Sequence, residues 1–231
     1  ETNKLFRGQA QTPTSYFLIQ NKKGNHIIPL FSKIHNKYIH YHINKCYIDK
    51  PLSLPLLLVS IIQKLQRNIE KDKYIQVIKT NMRPGYKNLK ISSEKSKSYP
   101  FPNISTCKLQ NTKPKLIINY SNIECVYKDK PKLVLAHKMY GFPFYDKKGI
   151  YGISNRDNYV ILNKNNKDFL KLKQFLSTKF ILTLFEATRY RMKYLEKYIF
   201  ELIPDITYIH NFPNIISDET IFLYFQLDEL E

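Results

Sequence analysis

Lys130 to Leu162 reads KPKLVLAHKMYGFPFYDKKGIYGISNRDNYVIL, and the fold turns on how this stretch is parsed. Its ends, Lys130–Leu135 and Tyr159–Leu162, are short apolar runs of β character. Pro131 opens the first run, where a missing N–H costs a ladder little. Between the runs, Tyr140-Gly141-Phe142-Pro143-Phe144-Tyr145 forms an aromatic turn, and Asp146-Lys147-Lys148-Gly149-Ile150-Tyr151-Gly152 a basic hairpin. Ser154, Asn155, Arg156 and Asn158 follow at once. The stretch carries no helical period, so it reads as strand, loop and strand.

Working outward, KPKLII at Lys113–Ile118 repeats the text of KPKLVL at Lys130–Leu135, and the expectation is two similar strands of one sheet. YIQVIKT at Tyr74–Thr80 is a further strand. Met82–Asn103 is rich in turn formers and cations, and Arg83, Tyr86 and Lys87 there form a second basic loop. Nearer the N-terminus, Tyr16–Gln20, His26–Phe31 and Tyr38–Ile43 read as strands and Leu54–Ile69 as a helix. Beyond Asn166 the apolar residues recur three and four apart, which predicts a helix over Asp168–Leu184 and another over Tyr190–Ile203, stopped by Pro204. A shorter helix begins at the N-cap Ser217, with Asp218 and Glu219 in its first turn. The fold class is therefore α+β, with short mixed strands carrying basic and aromatic loops and a C-terminal helical segment. Residues 1–73 form an N-terminal strand and helix segment, and 74–231 a loop-bearing domain that ends in helices.

Apolar content of 43% and aromatic content of 14% supply a core for a chain of 231 residues. The most apolar stretch, Leu52–Ile62, contains Pro55 and falls short of the ~20 residues that span a bilayer, so no membrane is expected. Three widely separated cysteines, Cys46, Cys107 and Cys125, offer no disulfide framework and no Cys-x-x-Cys knuckle. They read as core thiols of an intracellular, reducing compartment. The chain begins at Glu1 rather than methionine, as an excised piece of a longer protein would.

Thirty-seven Lys and Arg against 19 Asp and Glu leave a charge of +18, which suits a polyanion. The abundance of Lys, Asn, Ile and Tyr would also follow from A/T-rich codons, so the clustering of charge carries more information than its total. No phosphate-binding Gly-x-x-x-x-Gly-Lys, Gly-x-Gly-x-x-Gly or Gly-x-Ser-x-Gly is present. His35, His40, His42 and Cys46 lack the tight spacing of a zinc site and read as polar strand positions. Glu124, Asp129 and Asp146 are the acids a magnesium-dependent nuclease would draw on, Asp146-Lys147-Lys148 being similar to the Asp-x-Lys end of such a centre. A basic structural protein without specific DNA binding is a third reading.

The order of these segments resembles the TaqI-like C-terminal specificity domain of adenine-specific DNA methyltransferases in type II restriction–modification systems. The likeness lies in the KPK-led strand at Lys130–Leu135, Pro143–Asp146 (PFYD), Tyr151-Gly152 with the strand Tyr159–Leu162, and FLKLKQFLSTKF at Phe169–Phe180. Thr188–Asp205 and Ser98–Ile104 add to it, so the resemblance covers roughly 74–205. It implies sequence-specific recognition of double-stranded DNA, with a methyltransferase catalytic domain or subunit as partner. The family's S-adenosylmethionine loop and Asn-Pro-Pro-Tyr tetrapeptide do not occur here, so no cofactor and no catalytic residue is expected in this chain. The expected DNA-binding residues are Arg83, Tyr86, Lys87, Lys138, Lys147, Lys148, Tyr151 and Arg156, with Asn155 and Asn158 as readers of base edges.

Overall fold

The computed structural model describes residues 27–32, 37–42, 58–67, 73–80, 88–110, 113–137, 143–188 and 194–228. The chain divides into two compact units, Glu1–Ser60 and Ile61–Glu231. In the first, β1 (Ile27–Ser32) and β2 (Lys37–His42) form an antiparallel hairpin that places Ile27 opposite His42 and Ser32 opposite Lys37. These are the strands expected at His26–Phe31 and Tyr38–Ile43; Tyr16–Gln20, His35 and Cys46 lie outside the described residues. The division between units falls within α1 (Val59–Gln66), the described part of the helix expected over Leu54–Ile69.

The second unit is α+β, two four-stranded sheets with helices gathered toward the C-terminus. The outer sheet has the order β4-β6-β5-β9, from β4 (Ile91–Ser92), β6 (Lys113–Ser121), β5 (Phe101–Gln110) and β9 (Gly152–Ile153). All its pairings are antiparallel except β5 with β9. The inner sheet is wholly antiparallel, in the order β3-β10-β7-β8, from β3 (Ile78–Lys79), β10 (Asn158–Ile161), β7 (Lys132–Ala136) and β8 (Phe144–Asp146).

The two KPK strands belong to different sheets, which corrects the expectation of one. Their matching text conceals different surroundings. Residues 116–120 of β6 are half-buried, whereas all five residues of β7 are buried. Alternation along β7 explains this, since successive side chains face opposite ways. Val134 and Ala136 meet Ile104 and Cys107 of β5, Ile153 of β9 and Val160 of β10 in a core between the sheets. Leu133 and Leu135 take the other face, where the helices lie.

The helix expected over Asp168–Leu184 is two helices, α2 (Asn166–Leu176) and α3 (Lys179–Ala187). The break falls at Ser177-Thr178. The Ser177 hydroxyl donates to the Lys173 carbonyl at 2.7 Å, and Thr178 turns extended to accept from the Ile181 N–H as the N-cap of α3. α2 rests on β7 and β8, with the Tyr145 and Phe169 rings 5.1 Å apart. Of the helix expected over Tyr190–Ile203, the described residues keep one 3-10 turn, Lys197–Glu201. Leu195 instead donates its N–H to the His137 carbonyl at 2.8 Å. α4 (Asp218–Tyr224) starts at Ser217 as expected, in a capping box closed by Thr220. Among the described residues, no helix is long and apolar enough to cross a membrane.

Candidate nucleic-acid interface

The inner sheet has two ends, and the expected binding residues divide between them. β7 and β8 pair with Lys132 opposite Asp146, so the turn leaving β8 lies where β7 begins. β10 pairs with Ala136 opposite Asn158, so the turn entering β10 lies where β7 finishes. Lys147 and Lys148 therefore stand at one end and Arg156 at the other, about one strand length apart. Thr80, the last described residue before Arg83, Tyr86 and Lys87, bonds to Asn158 and lies at the Arg156 end. His137, the last before Lys138, lies there too. Arg83, Tyr86, Lys87 and Lys138 themselves lie outside the described residues.

At the Lys147 end the organising feature is a buried ion pair. The Lys132 side chain is fully buried and Asp146 is 3% exposed, with the ammonium 2.7 Å from Asp146 Oδ2. Lys132 Nζ also donates to the carbonyls of Tyr127 (2.9 Å) and Lys130 (3.2 Å), so its three protons are all used. The carboxylate accepts in addition from the N–H groups of Ile150 and Tyr151, each at 3.0 Å. Burial nonetheless holds the Lys132 ammonium below the usual lysine range, against the opposing pull of Asp146. Asp146 is thus the clasp of the turn, binding both its ends.

Gly149 completes that turn at φ 67°, where a Cβ would come within 2.5 Å of the Lys130 nitrogen. Its carbonyl accepts from the Asp129 N–H at 2.7 Å. The result is a rigid knuckle from which Lys147, Lys148 and Lys130 project into solvent. None of the three side chains has an ion pair or hydrogen bond among the described residues. Neighbouring Lys128, by contrast, is taken by Glu124 at 2.8 Å and Asp129 at 3.0 Å. The acids suggested for a nuclease are thereby accounted for: Asp146 is buried and saturated, and Glu124 and Asp129 share a lysine. No three of His, Cys, Asp and Glu among the described residues are grouped to hold a metal ion. Tyr151 is half-buried, its ring edge-on to Phe144 against the core between the sheets.

At the other end the fastening is neutral. Thr80 Oγ1 accepts from the Asn158 N–H at 3.2 Å and donates to the Asn158 carbonyl at 3.0 Å. The Asn158 amide donates to the Ser105 carbonyl (3.1 Å) and to Asn155 Oδ1 (2.8 Å). Asn155 in turn donates to the same Ser105 carbonyl at 2.6 Å. Ser105 sits at the bulge in β5, so the pair of asparagines ties the inner sheet to the outer. This corrects the expectation that they read bases. Asn158 is fully buried and Asn155 is spent on the bulge, so neither presents its amide to a groove. Arg156, between them, is exposed and without a partner among the described residues. Beside it Lys79 reaches His137 at 3.4 Å, and the His137 ring stacks on Tyr194 at 5.1 Å.

Sequence reasoning missed Lys132, which reads as the polar start of a strand and is core. The available signal was a lysine leading an apolar run, with an acid fourteen residues on that an antiparallel return brings opposite. Cys107 and Cys125 are buried, and burial pushes the Cys107 thiol up to about 12, as suits the core role read for them. No family model matches this chain, and no match is found among curated proteins or solved structures.

Proposed function

We propose that the second unit recognises double-stranded DNA as the specificity part of an adenine-specific DNA methyltransferase or restriction–modification enzyme. Methyl transfer from S-adenosylmethionine then falls to a separate catalytic domain or subunit. The observation that carries this reading is the knuckle of Lys130, Lys147 and Lys148. Three ammonium groups without a partner among the described residues, on a turn fixed by a buried ion pair, form a preorganised cationic surface, and phosphates are the anions a duplex offers in rows. Support also comes from the opposite end, where Arg156 is exposed and has no partner among the described residues. Phosphate contact at the knuckle sets affinity, and Arg156 is the described side chain able to reach a base edge.

The test is selection of bound duplexes from a random-sequence pool at moderate salt, followed by titration of the Lys147→Ala/Lys148→Ala variant. An enriched motif of a few base pairs is expected for the parent chain. The variant should bind all sequences more weakly, with a salt slope reduced by about two, one per lysine. Retention with no enriched motif would refute sequence recognition. No retention would refute DNA binding itself and leave a basic structural protein.

A further inference from the structure

β5 and β6 outrun the rest of their sheet. β9 borders β5 only at Asn103 and Ile104, and β4 borders β6 only at Tyr120 and Ser121. Among the described residues, no strand flanks the ribbon over 106–110 and 113–119. The parallel pairing fixes where this ribbon goes. β5 and β9 run the same way, so past Ile104 the ribbon travels with β9 toward Asn155 and Arg156. The Ser105 carbonyl, at the bulge where it starts, accepts from Asn155 at 2.6 Å and from Asn158 at 3.1 Å. The two asparagines thus bolt the root of the ribbon to the loop that bears Arg156.

The register assigns its two faces. Alternation places Cys107 and Leu116 on one face, and Lys108, Gln110, Lys113 and Lys115 on the other. The first face is the packed one, since Cys107 is buried in the core between the sheets and Leu116 rests against it. The polar face is therefore turned away from the inner sheet. Residues 101–121 contain no Asp or Glu, and Lys115 is exposed without a partner among the described residues. Lys108 stands directly opposite Lys115, a like-charge register pair that costs a ladder stability and that an anion relieves. Pro114 and Lys115, on the free edge of β6, are residue types that discourage a further strand. The ribbon is kept two strands wide.

We propose that this ribbon is the base-reading element of the unit. It enters the major groove of the duplex, with Lys108 and Lys115 meeting the phosphates on either side and Gln110 and Lys113 meeting base edges. The proposal rests on the DNA-binding reading above and supplies the reader that Asn155 and Asn158 are not. At a strand spacing of about 4.8 Å, a two-stranded ribbon fits the ~12 Å width of the groove, and the full four-stranded sheet does not. The three register pairs beyond Cys107 run about 10 Å, roughly the rise of three base pairs. Gln and Lys are the residue types that meet adenine and guanine edges in that groove.

The experiment uses the full chain and the random-sequence duplex pool over a salt series. The variants are Gln110→Ala/Lys113→Ala, Lys108→Ala/Lys115→Ala and the knuckle pair Lys147→Ala/Lys148→Ala. Thermal midpoints equal to the parent's serve as the folding control, and Gln110→Ala or Lys115→Ala alone replaces a pair that fails it. The Gln110/Lys113 variant should lose preference at one or two adjacent base pairs of the enriched motif, by about 5- to 150-fold each. The Lys108/Lys115 variant should keep the motif and lower the salt slope by about two, one per lysine, while Lys108→Arg/Lys115→Arg holds the parent slope. An unaltered motif in the first variant, or an unaltered slope in the second beside a reduced slope for the knuckle pair, would overturn the ribbon and leave the DNA reading intact. A parent chain that binds without enrichment, or does not bind, would overturn both.

Discussion

Where β7 begins, the loops are fastened by a buried lysine and aspartate; where it finishes, by two asparagines, a threonine and a serine carbonyl. The charged fastening is complete, every Lys132 proton and both Asp146 oxygens being used. The neutral one is not, for Asn158 Oδ1 is buried without a hydrogen-bond donor among the described residues. The contrast shows how a strongly basic surface is compatible with a basic interior. A buried ammonium is tolerated only when its acceptors are exact, and that exactness is what fixes the exposed lysines above it.

Breaking the charged end should cost most. Asp146→Ala leaves an uncompensated buried ammonium and two unpaired N–H groups, and should destabilise by about 3–5 kcal/mol in urea unfolding. Adding Lys132→Met to it should recover part of that loss, because the cost of the stranded charge disappears while the Ile150 and Tyr151 amides stay unpaired. A double variant no better than the single would show that the turn amides, and not the ammonium, carry the loss. Asn158→Ala comes next, at about 1–3 kcal/mol, because the amide's bonds are lost together with its unpaired oxygen. If it equalled Asp146→Ala, the two ends would not differ as argued. Lys147→Ala/Lys148→Ala should shift stability by less than about 0.5 kcal/mol, since exposed side chains without partners are lost. A larger fall would mean that the knuckle serves the fold instead of a ligand.

Much of the architecture was legible where local rules act alone. Ser217 with Asp218 and Glu219 announced α4, and the apolar run at Tyr159–Leu162 announced β10. The class, α+β with helices late in the chain, followed from the change of period after Asn166. Legibility failed where identical text met different neighbours. KPKLII and KPKLVL are alike as strings, yet one is half-solvated and the other lies between a sheet and helices, a difference only tertiary packing creates. Thr178 broke a helix because its hydroxyl could cap, a local competition that apolar spacing does not register. At the candidate site, charge alone singled out Lys147, Lys148 and Arg156, and all three are exposed. Asn155 and Asn158 were misread because polarity does not tell a reader from a rivet.

The way the strands are dealt between the sheets also governs the order in which the unit can form. β9 precedes β10 by a few residues, yet β9 completes the outer sheet and β10 the inner one. β10 is also the strand that joins β3 to β7, so β3 has no partner in its sheet until residue 158 or later is in place. A ribosome releasing the chain from its N-terminus must therefore expose nearly all of β3 to β10 before either sheet can close. The pairings that finish the fold span long sequence separations, so the unit should fold slowly and in one cooperative step after most of it is synthesised. Neither sheet can be exchanged without carrying part of the other with it, so variation in this architecture falls most readily on its turns.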